Sequence, residues 1–205
     1  MKKIIYIVTA SVLILTSAIS AFAEERFQDN WKEKIMSEKI KSKEDFINQY
    51  ADNPKYMSYR ISRPNTIVYL PGGFPENIVE NMNKCHLHKC IKCAHVIVGE
   101  SAGSMAPFKQ FFVYKDQDYK RYRAFKGLDI ENNMTIIPHF TLDNKDIAKA
   151  CNRFARKNPH VDIYCVEDGG YIIMENHKII KAHKAYKWIR RPFRRKSRIT
   201  SISIY

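Results

Sequence analysis

An α/β domain with a mostly parallel sheet and helices on both faces is predicted by three features of the sequence. β-Branched runs alternate with helical patterns from Thr66 to Asn158. The runs end in sharp turns at "LPGG", "GESAG" and "IPHF". No internal repeat or low-complexity linker interrupts the alternation. Strands that alternate with helices pair in parallel, because each crossover helix carries the chain back to the same end of the sheet. The 205 residues suffice for one domain with a single core.

The N-terminus, "MKKIIYIVTASVLILTSAISAFAEE", supports two readings. Lys2 and Lys3, the uncharged run Ile4 to Leu15 and the small-x-small site Ala21-Phe22-Ala23 are the three parts of a secretory signal over residues 1–23. An exported protein, periplasmic or secreted, with no membrane span in its mature chain is the preferred reading. The alternative takes "KKIIYIVTAS" as the first buried strand of a cytoplasmic α/β domain, since β-branched runs that end in small hydroxyl residues also end such strands.

The domain itself is expected over residues 24–189. From Glu24 to Tyr50 the spacing of Trp31, Ile35, Ile40, Phe46 and Ile47 predicts one or two amphipathic helices. Asn53-Pro54 breaks the pattern, and "YMSYRIS" reads as a short edge strand. "NTIVYLPGGF" is a strand stopped by a glycine turn, and "PENIVENM" is the helix that follows. "HVIVGESAGSMAPFKQFF" repeats that grammar. "NMTIIPHF" is a strand ending at Pro138-His139, and "DNKDIAKACNRFARKN" is an amphipathic helix with an Asp/Asn cap. "VDIYCVEDGG" is a further strand, and "YIIMENHKIIKAHKAY" reads as a C-terminal β-hairpin turning at Glu175-Asn176.

Charge and cysteines constrain function less. The 35 Lys+Arg against 21 Asp+Glu give a net charge of +14, which favours anionic surroundings without naming a partner. Part of the excess lies in "RRPFRRKSR", so residues 190–205 are expected to form a solvated basic tail and imply no specific nucleic acid. Cys85, Cys90 and Cys93, with His86 and His88, lie in "CHLHKCIKC". Cys90 and Cys93 form a CxxC pair with no second pair at zinc-site spacing, so a surface connection is preferred over a metal module and no metal is expected.

Chemistry is expected at the strand ends, where open α/β sheets place their active groups. Gly-x-Ser-x-Gly at a strand-to-helix turn needs its glycines because the turn is too sharp for neighbouring side chains, and it projects the serine hydroxyl outward. "GESAGS" meets that requirement at Ser101. The helix that follows offers the Ala102 N–H to an oxyanion, and the turn Gly72-Gly73 offers a second donor. A serine hydroxyl needs a base. Of the seven histidines, His139 ends a strand predicted for the same sheet. A carboxylate must then orient the imidazole, and Asp116 and Asp118 in "YKDQDY" both follow the serine at a plausible distance.

"VYLPGG", "VIVGESAGS", "GLDIENNMTIIPHF" and "VEDGGYIIMENHKII", in that order, resemble the peptidase E (aspartyl dipeptidase) and cyanophycinase family of serine peptidases over Thr66 to Tyr186. The resemblance implies a class I glutamine amidotransferase-like fold, a flavodoxin-like three-layer sandwich. It implies Ser101 as nucleophile, His139 as base, Asp116 as the third member, and Gly73 and Ala102 as oxyanion donors. It further implies hydrolysis of peptide or isopeptide bonds in small, acidic substrates through an acyl-enzyme, with no cofactor. It implies Gly72 and Phe74, in the glycine turn, as substrate-binding residues. There this chain departs from the family, carrying Phe74-Pro75 where Asn-Thr is usual. The alternative is a catalytically silent amidotransferase-like domain that binds without cutting.

Overall fold

The computed structural model describes residues 59–61, 63, 66–84, 86–189 and 199–202 fully, and residues 3–8 and 198 as backbone. The helices expected between Glu24 and Tyr50, residues 190–197 of the basic tail and Cys85 lie outside the described residues. Tyr59–Ile61, expected in a short strand, is a helical turn.

Lys3–Val8 forms strand β1. Ile67–Leu70 is β2, and the turn Pro71-Gly72-Gly73 leads into helix α1, Pro75–Lys84. Pro75 takes the first helical position, where a missing N–H costs nothing. Val96–Glu100 is β3, and Ala102–Met105 is a single-turn helix α2. Pro107 explains its shortness, since a helix ends before the residue preceding a proline. What reads as one long helix after Ser101 is therefore α2 followed by an antiparallel pair, β4 (Gln110–Val113) and β5 (Arg123–Lys126), in a sheet of its own. Met134–Ile137 is β6 and Lys145–Lys157 is α3. Asp162–Glu175 is β7, Lys178–Ile189 is β8 and Arg198–Ser201 is β9.

The main sheet runs β2-β3-β1-β7-β8-β9, with β6 also on β7. It is mixed, which corrects the expected mostly parallel sheet. β2, β3 and β1 are parallel, and β6 is parallel to β7. β1 is antiparallel to β7, and β7, β8 and β9 follow one another antiparallel. For β7 and β8 the reason is local. β7 and β8 join through two residues, Asn176 and His177, both at positive φ (51° and 64°), as two-residue hairpin turns demand, and such a loop permits only antiparallel pairing. The tail also differs from expectation, because Arg198–Ser201 extends the sheet against β8.

Register decides where the strand ends meet. β8 covers one edge of β7. On the other edge β6 lies against residues 162–165, and β1 against residues 170–175. Running in opposite directions, β6 and β1 point their C-terminal ends at each other across residues 166–170. There the pairing of β7 with β8 slips, and only Lys184 faces the intervening residues between Val166↔Ala185 and Tyr171↔His183.

The core packs around α3 and the aromatic residues of β4. Asn144 caps α3, its side chain accepting the N–H groups of Asp146 and Ile147 at 3.0 and 3.1 Å. Ile147, Ala150, Cys151, Phe154 and Ala155 form its buried stripe, the spacing of one helix face. Phe154 stacks on Phe112 with ring centroids 4.5 Å apart. Burying such a side chain fully stabilises by about 1.5–3 kcal/mol. No helix among the described residues is long and apolar enough to cross a membrane.

Two tests follow from this packing. A chain starting at residue 24 lacks the strand between β3 and β7, so its thermal unfolding should lose the cooperative transition of the full chain; a truncated chain melting at the full-length temperature would contradict the role of β1. A Cβ on Gly103 would lie 1.9 Å from the Leu70 carbonyl oxygen. Gly103→Ala should therefore destabilise by about 1–3 kcal/mol, lowering the melting temperature by roughly 2–12 °C, as calorimetry would show.

Candidate active site

Three strand ends converge on the break in β7. The register sets Glu100 beside Ile7, and Val8 opposite Gly170, so Ser101 emerges next to the bulge. His139 follows β6 by two residues, and the Phe140 N–H donates to the Val166 carbonyl at 3.0 Å. Two sequentially distant turns are thus held against one irregular segment.

Ser101 occupies a strained backbone conformation, φ 47° and ψ −116°, which non-glycine residues rarely adopt. Its carbonyl accepts the N–H of Ser104 at 3.0 Å and the buried Ser104 hydroxyl at 2.5 Å, fixing the sharp turn from behind. Both flanking glycines are required by close approach. A Cβ on Gly99 would meet the Gly103 carbonyl oxygen at 2.5 Å, and one on Gly103 would strike the end of β2. The same approach brings the glycine turn to the serine, since a Cβ on Gly72 would be 3.4 Å from Ser101 Cβ. Gly73, at φ +117°, faces open space, where a substrate carbonyl has room. Ala102 opens α2, whose first N–H groups have no partner within a helix.

Ser101 Oγ lies 2.7 Å from His139 Nε2, and His139 Nδ1 lies 2.5 Å from Asp168 Oδ1. With its proton on Nδ1 donated to Asp168, the imidazole presents an unprotonated Nε2 to the serine hydroxyl, which donates to it. His139 also has positive φ, 54°, turning its ring from the strand end towards Ser101. The His139 and Asp168 side chains are 42% and 58% exposed, so the line of groups is open to solvent on one side. Such a line can move a proton from a hydroxyl to an imidazole while a carboxylate holds the ring.

The structure brings together Ser101, His139, Gly72, Gly73 and Ala102, and it does not bring Asp116 to them. Asp116 Oδ1 accepts the N–H groups of Asp118 and Tyr119 at 2.9 and 2.7 Å, an Asx turn within its own loop. The acid against His139 is Asp168, a correction to the expected Asp116. Asp168 lies in the bulge of β7, and bulges re-aim side chains out of the alternating pattern. Its signal in the sequence is "VEDGG", two carboxylates and two glycines interrupting a strand that runs beside the histidine's own. The bulge is braced from β8. Tyr186 packs its ring on Phe140 at 5.7 Å, and a hydrogen bond to Glu167 raises its hydroxyl above the ordinary tyrosine range. It thereby touches the neighbours of both His139 and Asp168.

Around this line, the Tyr69 hydroxyl donates to Glu100, the residue before the serine. Burial first, then that hydrogen bond and charge, push Tyr69 up to about 12. Burial also pushes Tyr114 up to about 12, with the charges of Asp116 and Asp168 adding to it. Phe74 follows the glycine turn and meets Tyr119 edge to face at 5.8 Å. Among the described residues no group of three or more His, Cys, Asp or Glu is placed to hold a metal. Of the cysteine-rich segment, Cys90 caps and Cys93 ends the short 3₁₀ turn Ile91–Cys93, and they form no disulfide among the described residues.

The family model for peptidase family S51 matches residues 1–182. Fifteen chains of solved structures match. A peptidase from an acI-B1 Actinobacterium is 12% identical, covers 98% of this chain and 97% of its own, and has a TM-score of 0.56, a likeness of fold. A putative peptidase E protein from Listeria monocytogenes EGD-e is 14% identical over 64% of this chain and 65% of its own, with a TM-score of 0.44. No curated protein matches. The family match runs from the first residue through β1 and includes Ser101, His139 and Asp168; the chain belongs to peptidase family S51 and is a serine peptidase.

Proposed function

We propose that the chain hydrolyses peptide or isopeptide bonds of small substrates through an acyl-enzyme on Ser101. The observation that carries this reading is the unbroken line Ser101 Oγ, His139 Nε2, His139 Nδ1, Asp168 Oδ1. As Ser101 Oγ attacks the scissile carbonyl, His139 takes its proton, and Asp168 stabilises the imidazolium and keeps its orientation. The carbonyl oxygen becomes an oxyanion facing the N–H groups of Ala102 and Gly73, each such donor being worth about 10²–10³ in rate. His139 returns the proton to the leaving amine, leaving an ester on Ser101. Water, deprotonated by the same imidazole, then cleaves that ester. Lys3–Val8 is part of this enzyme, because β1 positions the end of β3; we propose that the active form retains it. The aspartyl preference implied by the resemblance depends on the residues after the glycine turn. With Phe74 there, it is not carried over.

Kinetics on a panel of dipeptides tests the assignment. Ser101→Ala and His139→Ala should each abolish turnover while leaving the melting temperature near that of the parent. Asp168→Asn should lower kcat by about 10⁴-fold, because the amide cannot hold the proton on Nδ1 or stabilise the cation. Asp116→Asn should cost less than about tenfold. Equal losses for the two aspartates would return the acid's role to the loop at residues 116–119.

A further inference from the structure

We infer that Phe74 and Tyr119 form the side-chain wall of the substrate site and select peptides with a large apolar residue beside the scissile bond over acidic ones, an inference that rests on the hydrolase reading above. Phe74 is 44% exposed, although removing a large apolar ring from water is favourable. Its place is fixed by the chain: it follows Gly72, which lies against Ser101, and Gly73, which faces open space. In the proposed site the Phe74 ring borders a substrate whose carbonyl sits at Ser101.

The wall is built from a second, distant segment. Tyr119 meets Phe74 edge to face at 5.8 Å with the planes at 75°. Its hydroxyl donates to Glu76 Oε2 at 2.7 Å, tying the loop between β4 and β5 to the first turn of α1. Asp116 holds Tyr119 in place from within the loop, accepting its N–H at 2.7 Å, while the Asp116 N–H donates to the Tyr119 carbonyl at 3.0 Å. This is the work of the aspartate that does not face His139. The aromatic pair offers a face to an apolar side chain, and the Glu76 carboxylate behind it repels an acidic one, so attraction and rejection act together.

The full-length protein would be assayed on three dipeptide series that differ in the residues beside the scissile bond: Phe or Leu, Ala, and Asp. The Phe and Leu series should be cleaved with a kcat/KM at least about tenfold above the Asp series, within the range that pocket contacts supply. Phe74→Ala should reduce kcat/KM on the Phe and Leu series about tenfold more than on the Ala series, mainly through KM. Glu76→Gln should narrow the gap to the Asp series. A parent enzyme that prefers Asp, or a Phe74→Ala loss equal across all series, would overturn the wall. Fluorophosphonate labelling separates the two levels: label without turnover of any series overturns the specificity alone, while neither label nor turnover overturns the hydrolase reading with it.

Discussion

The break in β7 is the constraint on which the site depends. One edge of this strand is shared by two others that approach from opposite ends, β6 on residues 162–165 and β1 on residues 170–175. Between them the backbone has to leave the ladder. Gly169 turns at φ +73°, and Gly170 is packed so closely that a Cβ would lie 2.7 Å from Val166. A regular strand would alternate Glu167 and Asp168 between the two faces of the sheet. The bulge instead sets Asp168 against His139, while Glu167 reaches Tyr186 on β8.

The serine and the histidine reach the same place by strain. Ser101 and His139 both have positive φ without being glycine, at a cost on the order of 1–3 kcal/mol each. Neighbouring contacts offset it: the Ser104 hydroxyl and N–H behind Ser101, and the Phe140 N–H on Val166 behind His139. Strain of this kind persists only when the surroundings over-determine it. The glycines at 99 and 103 serve that end, since their missing side chains let the elbow lie directly on the end of β2.

Much of this was legible in the sequence, and the gaps have physical reasons. Ser101, His139 and the glycine turn stood at the ends of predicted strands, where hydrophobic runs stop at Gly or Pro, and the Asn144 cap marked α3. Asp168 was hidden because "VDIYCVEDGG" has the apolar content of one strand, and no periodicity announces where a ladder slips. Asp116 follows the serine closely along the chain, whereas the contact to His139 is made by Asp168 across a sheet. The N-terminus was ambiguous because an export signal and a buried strand both require an uncharged, β-branched run. Pairing direction was the hardest to read, since local pattern records which face of a strand is buried but not which way its neighbour runs.

One carboxylate in this molecule stands where another was expected. Asp168 faces the imidazole, and Asp116 shapes a loop whose tyrosine meets Phe74. The central claim is that the line from Asp168 through His139 makes Ser101 a nucleophile. Mass-mapped labelling of the full-length protein with a fluorophosphonate tests it most directly. The account predicts a single adduct on the peptide that contains Ser101, near one equivalent per chain. An unlabelled protein, or an adduct on any other residue, would contradict it.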